Sequence, residues 1–162
     1  MSLVLTLSLL VVFTGCEKSG GPTPPSSAPT PAVAPSFAGS KVKKEYYTGG
    51  MLRSEFIMSD NTGMNGTLKR YGYDGLLTSI VSIRNGVNDG IEQWFDPDGR
   101  VIQTVPYVNG RIDGIQTAYY PNGDPMIKTT YQKGFKNGPK TIYNRDGSIY
   151  KKFIYKDDRL VD

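Results

Sequence analysis

Trp94-Phe95-Asp96-Pro97-Asp98-Gly99 is answered 24 residues later by Ala118-Tyr119-Tyr120-Pro121-Asn122-Gly123. The prolines fix the local geometry. A two-residue hairpin turn on Asp98-Gly99 would put Pro97 in a paired strand position, where its missing N–H breaks the ladder. A type I turn accepts proline at its second position, with the following glycine left-handed, so each phrase reads as a three-residue hairpin loop. In that register Phe95 opposes Val101, Ile91 opposes Val105, and Tyr119 opposes Pro125.

Working outward, the turn glycine recurs at Gly50, Gly75, Gly99, Gly123 and Gly147, at intervals of 25, 24, 24 and 24 residues. An aromatic stands four positions before each: Tyr46, Tyr71, Phe95, Tyr119 and Tyr143. A second glycine recurs nine positions before the turn, at Gly66, Gly90, Gly114 and Gly138, with Lys41 in its place in the first unit. A further turn follows at Asn109-Gly110 and Lys133-Gly134, and Asp158 takes the glycine's place in the last unit. Such a period means stacked units, each burying its apolar side only against its neighbours. The expected fold is all-β: about five 24-residue β-hairpins forming one elongated, curved, antiparallel up-and-down sheet of roughly ten strands. The second, sixth and eighth positions after each turn glycine are mostly apolar (Leu77, Val81 and Ile83 in one unit). With the aromatics, they are expected to line one face, leaving Arg70, Thr104, Lys128, Lys152, Trp94 and Ile102 on the other. Four repetitions of the second glycine point to backbone geometry rather than to a ligand.

The first 40 residues read differently. Leu3 to Phe13 is an eleven-residue, mainly apolar run, too short to span a bilayer as a helix and suited to a secretory signal. It ends in Phe13-Thr14-Gly15-Cys16, which resembles a bacterial lipobox, with Cys16 as the lipidated residue and residues 1–16 as the signal peptide. Phe13 stands where leucine is usual. No Lys or Arg precedes the run, as expected if a few N-terminal residues are missing. Glu17 is not the aspartate of inner-membrane retention, so the resemblance favours an outer-membrane anchor facing periplasm or exterior. Residues 17–40 form a linker, with six prolines among the fourteen residues from Pro22 to Pro35. At about 3.1 Å per residue in polyproline geometry it could reach roughly 75 Å. Residues 41–162 are the repeat domain.

Composition excludes several chemistries. The 162 residues include no histidine, and Cys16 is the lone cysteine, so a disulfide, a Cys/His zinc site and a histidine-activated nucleophile cannot be built. No cofactor, metal, nucleic acid or small-molecule substrate is implied, and the reading is not an enzyme. Asp96, Asp98 and Asp124 cluster, but as turn-closing residues. The net charge of +4 is uneven: residues 128–162 hold nine Lys/Arg against four Asp, which leaves −1 for the rest. That end suits an acidic partner or an anionic polymer or lipid surface.

Tyr119-Tyr120-Pro121-Asn122-Gly123, Tyr131-Gln132-Lys133-Gly134 and Asn137-Gly138 together resemble the MORN repeat variant, as do Tyr46 to Gly50 and Trp94 to Gly99. The resemblance covers about residues 42–162, with Gly72 in place of the second aromatic and an irregular stretch from Asp60 to Asn65. It implies an interaction module without catalytic residues. Bacterial members are commonly described as antitoxin components or lipoproteins, and arrays elsewhere serve as scaffolds or touch lipids. The chain is also similar to choline-binding repeats, but their cages lean on tryptophan and only Trp94 is present.

Three functions follow as expectations. The first is a lipid-anchored scaffold that binds another envelope protein. The second is an antitoxin or immunity protein that covers a cognate toxin. The third is binding of envelope polymer or anionic lipid. The candidate binding residues are Tyr73, Trp94, Tyr120 and Tyr150 as aromatic contacts, and Lys133, Lys136, Lys140, Lys151 and Lys152 as the basic group.

Overall fold

The computed structural model describes residues 41–162. The expected signal peptide, linker and lipidation site at Cys16 lie outside the described residues. Thirteen strands form one antiparallel sheet: β1 (Val42–Tyr46), β2 (Leu52–Met58), β3 (Gly66–Tyr71), β4 (Leu77–Arg84), β5 (Val87–Asn88), β6 (Gly90–Phe95), β7 (Val101–Val108), β8 (Arg111–Ile112), β9 (Gly114–Tyr119), β10 (Pro125–Gln132), β11 (Phe135–Tyr143), β12 (Ile149–Lys156) and β13 (Arg159–Leu160). The order is sequential, with the short β5 and β8 pairing back onto β4 and β7. The sheet is up-and-down and does not close into a barrel. Ten long strands are the five expected hairpins, and β5, β8 and β13 are stubs that follow the second turns.

Five turns with the same backbone bonds close the hairpins, the first differing in a positive φ at Gly49. Gly99 N–H donates to the Asp96 carbonyl at 2.9 Å and Asp96 N–H to the Arg100 carbonyl at 2.9 Å. The same pair of bonds recurs around Gly50, Gly75, Gly123 and Gly147. Gly99 is left-handed at φ 79°, as the three-residue loop requires. Phe95 faces Val101 and Tyr119 faces Pro125, as expected from the prolines.

The next step of the register corrects the sequence reading. Trp94 pairs with Gln103, not Ile102, so Ile91 faces Pro106 and Glu92 faces Val105; the expected Ile91–Val105 pair does not form. One residue is extra on the second strand, a β-bulge that the turn geometry does not announce. It recurs in all five hairpins, at Arg53, Thr78, Ile102, Met126 and Tyr150. Directly opposed residues share a face and alternation resumes beyond the bulge. The expected single apolar face therefore splits. Val81, Val105, Phe56, Tyr107 and Trp94 lie on a first face, and Phe95, Val101, Tyr71, Tyr119 and Tyr143 on the second. Both faces carry buried residues: Val81 and Val105 on one, Phe95 and Val101 on the other. Ile91 is turned out on the second face, while Glu92 is taken in on the first.

The second turns are of the tight two-residue type. Asn85-Gly86, Asn109-Gly110, Lys133-Gly134 and Asp157-Asp158 all have positive φ at both positions. They stack. Gly110 N–H donates to the Asn88 carbonyl and Gly134 N–H to the Ile112 carbonyl, each at 2.8 Å. The Asp89 carboxylate accepts from Asn109 N–H at 3.2 Å, and Asp113 from Lys133 N–H at 3.3 Å. Every repeat glycine follows Asn or Asp (Asn65, Asp89, Asp113, Asn137); the first three accept from the next second turn, while Asn137 donates to Gln132 instead. Gly90 and Gly114 open β6 and β9 and Gly138 lies within β11, with φ of 113°, 116° and 120°. A Cβ on Gly114 would lie 3.1 Å from Pro106 Cγ.

Candidate interaction surfaces

The expected binding residues do not form one patch. Tyr73 is 68 % exposed at a turn tip, with its ring stacked on Tyr47 at 3.9 Å between centroids. Tyr150 is 69 % exposed because it is the extra residue of the last bulge. Trp94 is partly exposed on the first face. Tyr120 is half-buried and structural: its hydroxyl donates to the Tyr143 carbonyl at 2.8 Å, with the Arg145 guanidinium 5.8 Å from its ring. Tyr47 makes the same bond to the Tyr71 carbonyl at 2.9 Å, so this position links consecutive units.

The lysines scatter by register. Lys136, Lys140 and Lys151 belong to the first face, where the Lys136 ammonium sits 5.4 Å from the Tyr155 ring and Lys151 4.8 Å from that of Phe153. Lys140 lies between Thr129 and Phe153 on the neighbouring strands. Lys152 is on the second face, in a row with Thr141 and Lys128. Lys133 occupies a second turn on the sheet edge. Charge pairing nevertheless divides the array sharply. All six ion pairs among the described residues fall between Lys43 and Arg100. The nine cations from Lys128 onward join none of them, so residues 128–162 keep a net charge of +5 (nine Lys/Arg against four Asp) outside the ion pairs of the described residues.

The N-terminal units hold polar clusters that the sequence reading missed. On the first face Arg70 reaches Glu92 at 2.7 Å and Ser79 Oγ at 3.2 Å. Burial, together with the charge and hydrogen bonding of Glu92, pushes the Tyr107 phenol up. On the second face Lys44 meets Glu55 at 3.1 Å, and the Tyr71 hydroxyl donates to the same carboxylate at 3.1 Å. Burial pushes the Glu55 carboxyl up, but the bonds from Lys44 and Tyr71 outweigh it and hold it below the usual range. Beside the first cluster runs a groove of about 500 Å³, floored by Phe56, Leu68 and Ile83 and rimmed by Lys43, Arg53 and Arg70. Neither cluster was legible without the bulge, which sets what Glu92 and Tyr71 face.

The second face carries a set of mainly apolar cross-strand pairs near the second-turn edge. Val42 pairs with Ile57, Ile57 with Thr67 and Thr67 with Ser82. Further pairs on the same face are Ile91–Pro106, Ile115–Thr130 and Pro139–Ile154, within the third, fourth and fifth hairpins. Ile91 is 61 % and Ile115 55 % exposed. Exposed apolar side chains grouped on a fixed scaffold mark interaction sites more often than scattered ones do.

The hairpins of β6–β7 and β9–β10, with their second turns, coincide with two windows that match the MORN repeat variant, residues 88–109 and 112–133. The chain carries MORN-variant repeats. The three other units share the first-turn bonds and the bulge of these two hairpins. MORN repeats are in general modules for protein or membrane interaction. No curated protein and no solved structure was found to match the chain.

Proposed function

We propose that this MORN-variant array is a protein-interaction module of the cell envelope, tethered through Cys16 and the 17–40 linker and working by binding rather than by catalysis. The observation that carries the binding part is the set of mainly apolar pairs on the second face. Its exposed members are held at strand spacing by backbone pairing, so they dock without the ordering cost of a mobile loop. The lipobox-like ending and the proline-rich spacer support the tether. Two acyl chains on one residue suffice for stable anchoring, each buried CH₂ contributing about 0.8 kcal/mol.

Crosslinking in intact envelopes tests the reading. A stoichiometric partner recovered with the natural chain should be lost with Ile91→Asp/Ile115→Asp, whose side chains point outward and leave the fold intact. Equal recovery by both proteins would remove these pairs from the binding surface. Release of the natural chain from membranes by Cys16→Ala, read by fractionation, tests the tether separately.

A second reading, an antitoxin or immunity protein, draws on the net positive charge of residues 128–162, which suits an acidic toxin. It requires a neighbouring gene whose product kills cells lacking this chain. A deletion strain that grows normally beside an intact neighbour rejects it.

A further inference from the structure

On the first face three tyrosines stand in line, each directly opposite a glycine of its own hairpin: Tyr107 opposite Gly90, Tyr131 opposite Gly114 and Tyr155 opposite Gly138. A ring opposite a bare Cα has no side chain to prop it upright and can lie along the sheet, the arrangement by which aromatics cover strand glycines. All three rings are half-buried. Two strand spacings separate successive tyrosines, about 9.6 Å at 4.8 Å per strand.

We propose that this row is a docking platform for a polyproline II segment, and that its occupant is the chain's own residues 22–35. A polyproline II helix has three residues per turn and rises about 3.1 Å per residue, so one edge repeats every 9.3 Å, in step with the tyrosines. An extended strand repeats every 6.6–6.8 Å and falls out of step after one ring. Aromatic-lined surfaces take polyproline II ligands because the ligand is already ordered. Along the segment one such edge is Pro22, Pro25, Ala28, Pro31 and Ala34, beginning with the P-x-x-P sequence Pro22-Thr23-Pro24-Pro25. Residues 22–40 contain no charged side chain, so the segment meets Lys136 and Lys140 without repulsion.

Reach agrees. The Lys41 carbonyl accepts from Met58 N–H, and Met58 faces Gly66, which places the start of the array at the level of the glycine–tyrosine row. Five strand spacings from β1 to β7 are about 24 Å, and nine to β12 about 43 Å. Pro31 lies ten residues before Lys41, a reach of about 31 Å, and Pro25 sixteen, about 50 Å. Pro31, Ala28 and Pro25 can therefore sit at Tyr107, Tyr131 and Tyr155 in turn. The docked segment runs back along the array on the face opposite the apolar pairs, leaving those open to a partner.

A spin label tests this in the full chain. With Cys16→Ser and Ser27→Cys the nitroxide has one attachment point, and the amide signals of the sheet report its position. Docking predicts loss of most of the signal intensity around Tyr131 and Tyr155. Pro22→Gly/Pro25→Gly/Pro31→Gly, changes outside the sheet, should restore it. Broadening confined to β1 and β2, or broadening at Tyr155 that survives the glycine replacements, would overturn the proposal. Broadening of an unlabelled, isotope-enriched copy by a labelled one would assign the occupant to a second molecule and overturn docking within the chain.

Discussion

Arg70 and Glu92, 22 residues apart and on adjacent hairpins, form a 2.7 Å ion pair in which the carboxylate is buried and the guanidinium partly solvated. The pair ties the second unit to the third through side chains, beyond the backbone ladder. Removing the cation leaves Glu92 charged in a site that water reaches poorly, the costly half of any buried pair. Arg70→Met should therefore destabilise by about 2–3 kcal/mol, towards the low end because Arg70 is itself half in water. Arg70→Met/Glu92→Leu should recover most of that loss. Urea unfolding of the three proteins decides it: a double variant no more stable than the single would mean that the charge of Glu92 is not what Arg70 offsets.

Much of the fold was legible because Pro97 and Pro121 admit one turn type, and that turn sets Phe95 against Val101. What followed was not legible. The extra residue at Ile102 has no composition of its own: the same place holds Arg53, Thr78, Met126 and Tyr150, so no side-chain type marks the bulge in the sequence. One residue of slip exchanges the faces of everything beyond it. That is why Ile91 faces Pro106 in place of Val105, and why Trp94 joins Val105 on the first face. The Asn/Asp before each repeat glycine was a usable signal, and would have found the edge ladder of Asp89 and Asp113.

The glycines divide by the conformation they hold. Gly99 has φ of 79° in open space, and Gly114 has φ of 116° with Pro106 Cγ only 3.1 Å from where a Cβ would stand. Gly99→Ala should cost about 1 kcal/mol, the usual left-handed penalty. Gly114→Ala should cost about 3 kcal/mol, since it adds a clash to a backbone region that L-residues rarely enter. Thermal unfolding would rank them, and equal losses would mean that the backbone at Gly114 relaxes freely.

Burial, reinforced by the Glu55 carboxylate, pushes the Tyr71 phenol up to about 12. A raised phenol favours the protonated native state, so its contribution is complete below the ordinary value near 10 and is lost as pH rises from there through about 12. Chain stability should fall across that window, and less steeply in Tyr71→Phe, which has no proton to lose. Denaturant midpoints at pH 9, 10 and 11 (on the order of one pH step across the phenol range) provide the check. Parallel slopes for the two proteins would show that another tyrosine governs the alkaline limb.

Lys133 occupies the first central position of a tight turn at φ 50°, where the equivalent turns have Asn85 and Asn109 at 51° and 49°. An ordinary side chain bears about 1–2 kcal/mol of strain in the left-handed region, and asparagine bears less because its short amide bonds locally. Lys133→Asn should accordingly stabilise the chain by about 0.5–1 kcal/mol. The edge ladder survives the change, because it is the backbone N–H of residue 133 that donates to Asp113. The same variant removes one cation from the basic end. If that end contacts an acidic partner, binding should weaken while stability rises, a divergence that loss of folding cannot imitate. A gain in stability with undiminished affinity would place Lys133 outside the contact, and no gain at all would mean that the turn holds lysine without strain.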